Sequence, residues 1–312
     1  MSTLPAETPK NRPVRLDELI SSDLMAKLDR LDIISRKIFA GKLQGERRSK
    51  KRGQSVEFAD FRQYVPGDDL RFIDWNIYAR LDRLFLKLFL EEEDLSLQIV
   101  IDTSASMDYG KQAKITYARK LAMALGYIGL VNHNRVTLTA FGDGGIVSRL
   151  PNLRGRRRTQ EMGRWILDLP VGGTSPFNDS MISIALARQG KGVMVLISDF
   201  LLKSGYERGL RYLVGGGYDT FVMQILSREE LEPEGPGGLG GDLKLTDMED
   251  EDHAEVTISA ALIKRYKENL ASYCETLRTF CTRRSMMHML ISTDEDLETL
   301  LLETLRRRGL LK

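Results

Sequence analysis

Residues 95–110 read LSLQIVIDTSASMDYG, and the fold turns on how this stretch is understood. "LSLQIVID" is almost continuously apolar, the pattern of a strand buried on both faces rather than one washed by solvent on one side. It ends at Asp102 and is followed by Ser104 and Ser106, so three small oxygen-bearing side chains stand where a buried strand stops. The next run, "QAKITYARKLAMALGYIGLV" (112–131), has helical spacing. A strand, a polar corner and a helix in succession form the opening unit of an open α/β sheet.

The alternation continues downstream. "RVTLTAF" and "GGIVSRL" are short strands around the tight-turn sequence "GDGG" (142–145), and "RTQEMGRWILDL" and "SPFNDSMISIALARQ" are helices. "GVMVLISDF" is a buried strand, "GYERGLRYLV" a helix and "DTFVMQIL" a further strand. A long helix over 258–284, the strand "MMHMLIS" and the helix "DEDLETLLLETLRRR" close the chain. This order predicts an α/β fold: a doubly wound, mostly parallel sheet with helices on both faces, over 95–312. Its irregularity is a Gly- and acid-rich insertion at 227–256, within which "DLKLTDMED" and "HAEVTIS" can pair as a hairpin.

Upstream, residues 1–15 hold three prolines and little apolar content, and are expected to form a disordered tail. Residues 16–94 are expected to form a smaller, partly β module. It opens with amphipathic helix over 16–43 and continues through "RLFLKLFLEEEDLSLQIVID", two strands around an acidic turn. In "DDLRFIDW" (68–75), Asp74 and Arg80 are expected to make structural ion pairs while Phe72, Ile73 and Trp75 pack against the sheet.

The 312 residues carry 46 basic and 44 acidic side chains, so overall charge argues for neither nucleic acid nor membrane. No signal-peptide pattern opens the chain, and the longest uncharged apolar stretch, 121–131, is too short to cross a bilayer. A cytoplasmic location is the expectation. Cys274 and Cys281 lie seven apart in a helical pattern, about 10 Å along the axis, too far for a disulfide. They read as reduced core residues, with no zinc pattern beside them.

In open α/β sheets ligands bind beyond the carboxyl ends of the strands. Two strands end there in aspartate, Asp102 and Asp199, and "VGGTSPFND" (171–179) puts Thr174 just before a helix. Asp102, Ser104, Ser106, Thr174 and Asp199 can therefore converge. All five offer hard oxygen donors, which favours Mg²⁺ or Mn²⁺ over zinc. Neutral hydroxyls would leave such an ion a pull for one further anionic oxygen, and an acidic side chain of a partner protein is the natural source.

"DTSASM", the later "GGT" and "ISDF" resemble the metal-ion-dependent adhesion site (MIDAS) of von Willebrand factor A-like domains. The upstream stretch 53–93, with "PGDDLRFIDW" followed by "AR", resembles the bacterial family DUF58, which joins such a segment to an A-like domain. By that resemblance Asp102, Ser104 and Ser106 fill the first motif, Thr174 the second and Asp199 the third. The resemblance also implies partnership with MoxR-type AAA+ ATPases, in an adaptor or chaperone-like role.

Competing readings are weaker on chemistry. Asp102 and Ser104 alone could simply cap the following helix. A serine nucleophile needs a positioned His base, and His133, His253 and His288 offer none. No phosphate-binding loop occurs, so the chain is not expected to be an enzyme. "DMEDEDHAE" lacks the ligand spacing of an EF-hand loop. The rival from another class is nucleic-acid binding through the basic runs 46–52 and 154–158, which lack interleaved aromatics for base stacking.

Overall fold

The structure, a computed structural model, describes residues 13–35, 56–91, 95–110, 113–187, 192–234, 241–246, 253–258 and 260–312. Two compact units divide them: 13–35 together with 95–312, and 56–91. The basic run 46–52 and residues 1–12 lie outside the described residues.

The chain enters the large unit with α1 (Leu16–Leu19) and α2 (Ser22–Leu28). Ser21 caps α2, its hydroxyl accepting the Leu24 N–H at 3.2 Å. Leu19, Ile20, Leu24, Leu28, Leu31 and Ile33 are buried in the core of the large unit, each worth roughly 1.5–3 kcal/mol of burial. Residues 16–35 therefore belong with the sheet domain, not with the module expected at 16–94. Their apolar stripe is legible in the sequence; the surface it covers is not.

The small unit is a hairpin of β1 (Val56–Gln63) and antiparallel β2 (Phe85–Glu91), with a bulge between Phe58 and Asp60. A 3-10 turn (Leu70–Phe72) and α3 (Trp75–Leu81) connect the strands. Ile73 is buried, but Phe72 and Trp75 are exposed, contrary to expectation. Asp74 pairs with Lys87 at 3.0 Å rather than with Arg80. It also caps α3, accepting the N–H groups of Asn76 and Ile77 at 2.8 and 3.1 Å. Those bonds and Lys87 hold its carboxyl below the usual range, the lysine contact contributing most.

The large unit resumes with β3 (Ser96–Asp102), α4 (Lys114–Val131), β4 (Arg135–Gly142) and β5 (Gly145–Leu153). Next come α5 (Thr159–Leu167), α6 (Phe177–Leu186), β6 (Gly192–Ser198), α7 (Glu207–Gly215) and β7 (Asp219–Leu226). The short α8 (Arg228–Leu231) opens the insertion, where β8 (Gly241–Thr246) and β9 (His253–Ile258) do form an antiparallel hairpin. α9 (Ala260–Thr282), β10 (Met287–Ser292) and a last helix with a π turn at Leu300–Thr304 complete the chain.

Six strands form one sheet in the order β10-β7-β6-β3-β4-β5, parallel except for the edge strand β5. Among the described residues β2 pairs with β1 and, through Leu86, with Ile73 of the connecting segment, so the two strands read around the acidic turn belong to different sheets. Leu97, Ile99 and Ile101 of β3 enter one core with α4, whereas Val100 enters the other with Phe177, Met181, Leu210 and Leu277. Both faces are thus covered, which is why the strands are apolar without alternation. This is the expected doubly wound, mostly parallel α/β architecture. α4 is apolar nearly all round because core surrounds it. Cys274 and Cys281 are buried and unpaired with one another, as expected.

Strand order reverses beside β3: the chain steps first to β4 and β5, then back across to β6 and β7. The carboxyl ends of β3 and β6 therefore flank the topological switch point, the usual crevice for a ligand in such sheets.

Candidate metal centre

Parallel pairing sets Ile101 opposite Ile197, so the next residues, Asp102 and Ser198, emerge side by side. The Ser198 hydroxyl donates to Asp102 Oδ2 at 2.7 Å. Asp102 Oδ1 accepts the Ser104 N–H at 3.0 Å and the Ser104 hydroxyl at 2.7 Å. Ser104 Oγ lies 3.1 Å from Ser106 Oγ. The Ser104 side chain makes no capping bond to the 3-10 turn that follows, Ala105–Asp108. The simple capping role for Asp102 and Ser104 is therefore not what is observed; their polar atoms face one another and Ser106.

The second loop is tied to the first by backbone. Thr103 O accepts the Gly172 N–H at 2.9 Å, and Gly173 O accepts the Ala105 N–H at 3.0 Å. Gly173 is left-handed, with φ of 69°, and a Cβ there would lie 2.4 Å from Asp143 Cβ. Thr174 follows directly on this turn and is exposed. From Asp102 and Ser104, fully buried, through half-buried Ser106 to Thr174, the group runs from the interior to the surface.

Asp199 stands one residue beyond β6 and is also buried. Its Oδ1 accepts the Leu201 N–H at 3.1 Å and its Oδ2 accepts Lys114 Nζ at 2.7 Å. Lys114 is itself 1% exposed. It also reaches Glu230 Oε1 at 2.6 Å, and its charge is held on by the two carboxylates against the cost of burial. Glu230 is placed by a reciprocal cap: its Oε2 accepts the Ser227 N–H at 2.7 Å, and Ser227 Oγ accepts the Glu230 N–H at 3.2 Å. Gln224 completes the surround, donating to Asp199 O at 3.0 Å and meeting His288 Nε2 at 3.0 Å.

Among the described residues Asp102 has no basic partner. Burial, with the negative charge of Asp199 beside it, pushes its carboxyl up to about 7, and the bonds from Ser198 and Ser104 only partly offset this. An ionised carboxylate held in this position lacks a counter-charge.

The structure thus brings Asp102, Ser104 and Ser106 into direct contact and joins the Thr174 turn to them. It places Asp199 close enough to act on Asp102 electrically. Sequence reasoning missed Ser198, Lys114 and Glu230. Two signals existed: "SREE" at 227–230 is a capping-box sequence, and a lysine opening a helix has the wrong sign for its dipole.

Among the described residues no group of three or more His, Cys, Asp or Glu stands where it could hold a metal. The candidate set instead offers two carboxylates and three hydroxyls. As donors these fit a hard divalent ion, because Asp102 is buried, under-compensated and adjacent to two hydroxyl oxygens. The basic run 154–158 is partly engaged: Arg156 pairs with Asp29 at 3.1 Å and Arg158 with Glu161.

A doubly wound sheet with a carboxylate and hydroxyl cluster at its switch point defines the class. The chain belongs to the family described as "Protein of unknown function DUF58", which matches residues 60–276. It is 28% identical to the uncharacterized protein Rv1480 of Mycobacterium tuberculosis, over 77% of this chain and 75% of that one. Among solved structures it is similar to the conserved hypothetical protein BatB of Bacteroides thetaiotaomicron, with TM-score 0.44 and 9% identity, covering 68% of this chain and 98% of that one. It is also similar to the SpRpn10 VWA domain, with TM-score 0.38 and 15% identity, covering 67% and 94%. No helix among the described residues is long and apolar enough to cross a membrane.

Proposed function

We propose that this chain is a metal-dependent protein-interaction module rather than an enzyme. Asp102, Ser104, Ser106 and Thr174 would hold Mg²⁺ or Mn²⁺, with Asp199 acting beside them. When bound, the ion would supply an electrophilic position for an acidic side chain of a partner. The chain's own residues supply the rest. Ser198 and Ser104 orient the Asp102 carboxylate, the Gly173 turn presents Thr174 at the surface, and Leu201 with Lys114 fixes Asp199. The observation that carries this reading is the buried Asp102 carboxyl, bonded among the described residues to neutral donors alone and raised to about 7. A divalent ion would provide the missing positive charge. The partner we propose is a cytoplasmic MoxR-type AAA+ ATPase or its client, as the sequence resemblance implies.

The test is calorimetric titration of Mg²⁺ and Mn²⁺ into the wild type and Asp102→Ala, followed by metal-dependent binding to a purified MoxR-type ATPase. Saturable binding that the variant loses supports the site. Absence of binding in the wild type, or equal binding in both, overturns it.

A further inference from the structure

The metal reading does not explain why a lysine is buried at its edge. Lys114 is 1% exposed, and its ammonium sits 2.7 Å from Asp199 Oδ2 and 2.6 Å from Glu230 Oε1. Both oxygens of Asp199 are then occupied, Oδ1 by Leu201 N–H and Oδ2 by Lys114. Glu230 is occupied likewise, Oε2 by the Ser227 N–H and Oε1 by Lys114. Four ionisable groups meet here: three carboxylates, Asp102, Asp199 and Glu230, and one ammonium. A divalent ion beside Asp102 would bring their formal charges to balance, so an ion and Lys114 must share the carboxylates.

We propose that Lys114 is an internal counter-cation that sets the affinity of this site, holding Asp199 so that a divalent ion binds weakly until a partner carboxylate completes its coordination. The inference rests on the proposed metal site. The physical basis is that a fixed positive charge a few ångströms from a bound ion repels it, strongly so where water is excluded. The same charge withdraws Asp199 from direct ligation. Lys114 is a positioning residue, acting through Asp199 and Glu230. The capping box explains how it is kept in place: Ser227 aims Glu230, and Glu230 anchors the ammonium. A charge on α8, which opens the insertion, thereby bears on the switch point of the sheet.

The experiment is titration of Mn²⁺ into the full chain, read by the free-ion paramagnetic resonance signal and by calorimetry, without any partner. Wild type, Lys114→Met, Lys114→Arg and Asp102→Ala are compared. Lys114→Met should bind Mn²⁺ about tenfold tighter or more, while Lys114→Arg, which keeps the charge, stays near the wild type. Removing the ammonium leaves Asp199 and Glu230 without their shared cation, so Lys114→Met/Glu230→Gln serves where the single variant does not fold, with the same tightening expected. If the wild type binds and Lys114→Met and Lys114→Met/Glu230→Gln bind equally or more weakly, Lys114 is not the affinity-setting cation and the metal site stands. If neither wild type nor Lys114→Met binds, or if binding survives Asp102→Ala, the metal site itself fails and this inference with it.

Discussion

Replacing Asp102 with asparagine should make the metal-free protein more stable, by an amount that depends on pH. The carboxyl has an ordinary value of 3.8 and is raised to about 7 in the fold, first by burial and then by Asp199. Below pH 3.8 it is protonated in both the folded and unfolded chain and contributes nothing. As pH rises the unfolded chain ionises first, so the folded state loses stability until about pH 7, where the penalty levels off. Roughly three pKa units at 1.36 kcal/mol each give about 4 kcal/mol. Asparagine keeps the shape: its carbonyl can accept the two Ser104 bonds, and its amide can donate to Ser198 Oγ. The assay is urea unfolding of both proteins in chelator across pH 4 to 8. The difference should be small at pH 4, about 2 kcal/mol near pH 5.5 and about 4 kcal/mol at pH 8, always in favour of Asp102→Asn. Saturating Mn²⁺ at about a hundred times its dissociation constant should return about 2.7 kcal/mol to the wild type alone. A pH-independent difference, or a wild type that outlasts the variant at pH 8 in chelator, would refute the account of Asp102 as an uncompensated buried acid.

Two further outcomes follow from other positions. Burial and Arg278 depress His288 to about 4, with Glu275 opposing, so its contribution is complete above its ordinary 6.5 and is lost as pH falls toward about 4. Allowing for its partial exposure, ~2 kcal/mol should disappear over that window, and His288→Gln should flatten the loss in urea titrations. Gly173→Ala would place a Cβ 2.4 Å from Asp143 Cβ in a left-handed backbone. It should cost about 1–3 kcal/mol of stability and weaken Mn²⁺ binding by displacing Thr174; unchanged affinity would detach that turn from the site.

The sheet was legible because double burial leaves a strong mark: "LSLQIVID", "GVMVLISDF" and "DTFVMQIL" need apolar residues on both faces. The aspartates ending the first two were legible for the same reason, since a charge stands out where such a run stops. Lys114 was not, because a lysine in a helical pattern ordinarily points to solvent. Only the tertiary approach of α4 to β6 and α8 turns it inward. Ser198 was hidden by looking like strand. The fate of 16–35 was half legible: periodicity shows which side chains seek burial, while the surface that buries them is set by chain topology. Asp74 found Lys87 because β2 returns beside the Ile73–Asp74 corner, where Asp74 N–H donates to Phe85 O and Ile73 bridges Leu86, a pairing that local spacing to Arg80 does not foresee.

The large unit closes where its first and last described segments meet. Asp32 N–H donates to Lys312 O, Lys312 N–H to Asp32 O and Ile34 N–H to Leu310 O, at 3.2, 3.0 and 2.9 Å. This places a clock on biosynthesis. Asp32 and Lys312 are 280 positions apart, which at ~5–20 residues per second is on the order of 14–56 s of translation. Throughout that interval Ile33, which bridges Leu311, awaits a strand partner not yet made. Residues 32–34 therefore gain these backbone partners only once 310–312 have been made, and a chaperone that shields this short apolar segment during elongation would be expected to raise the yield of folded protein.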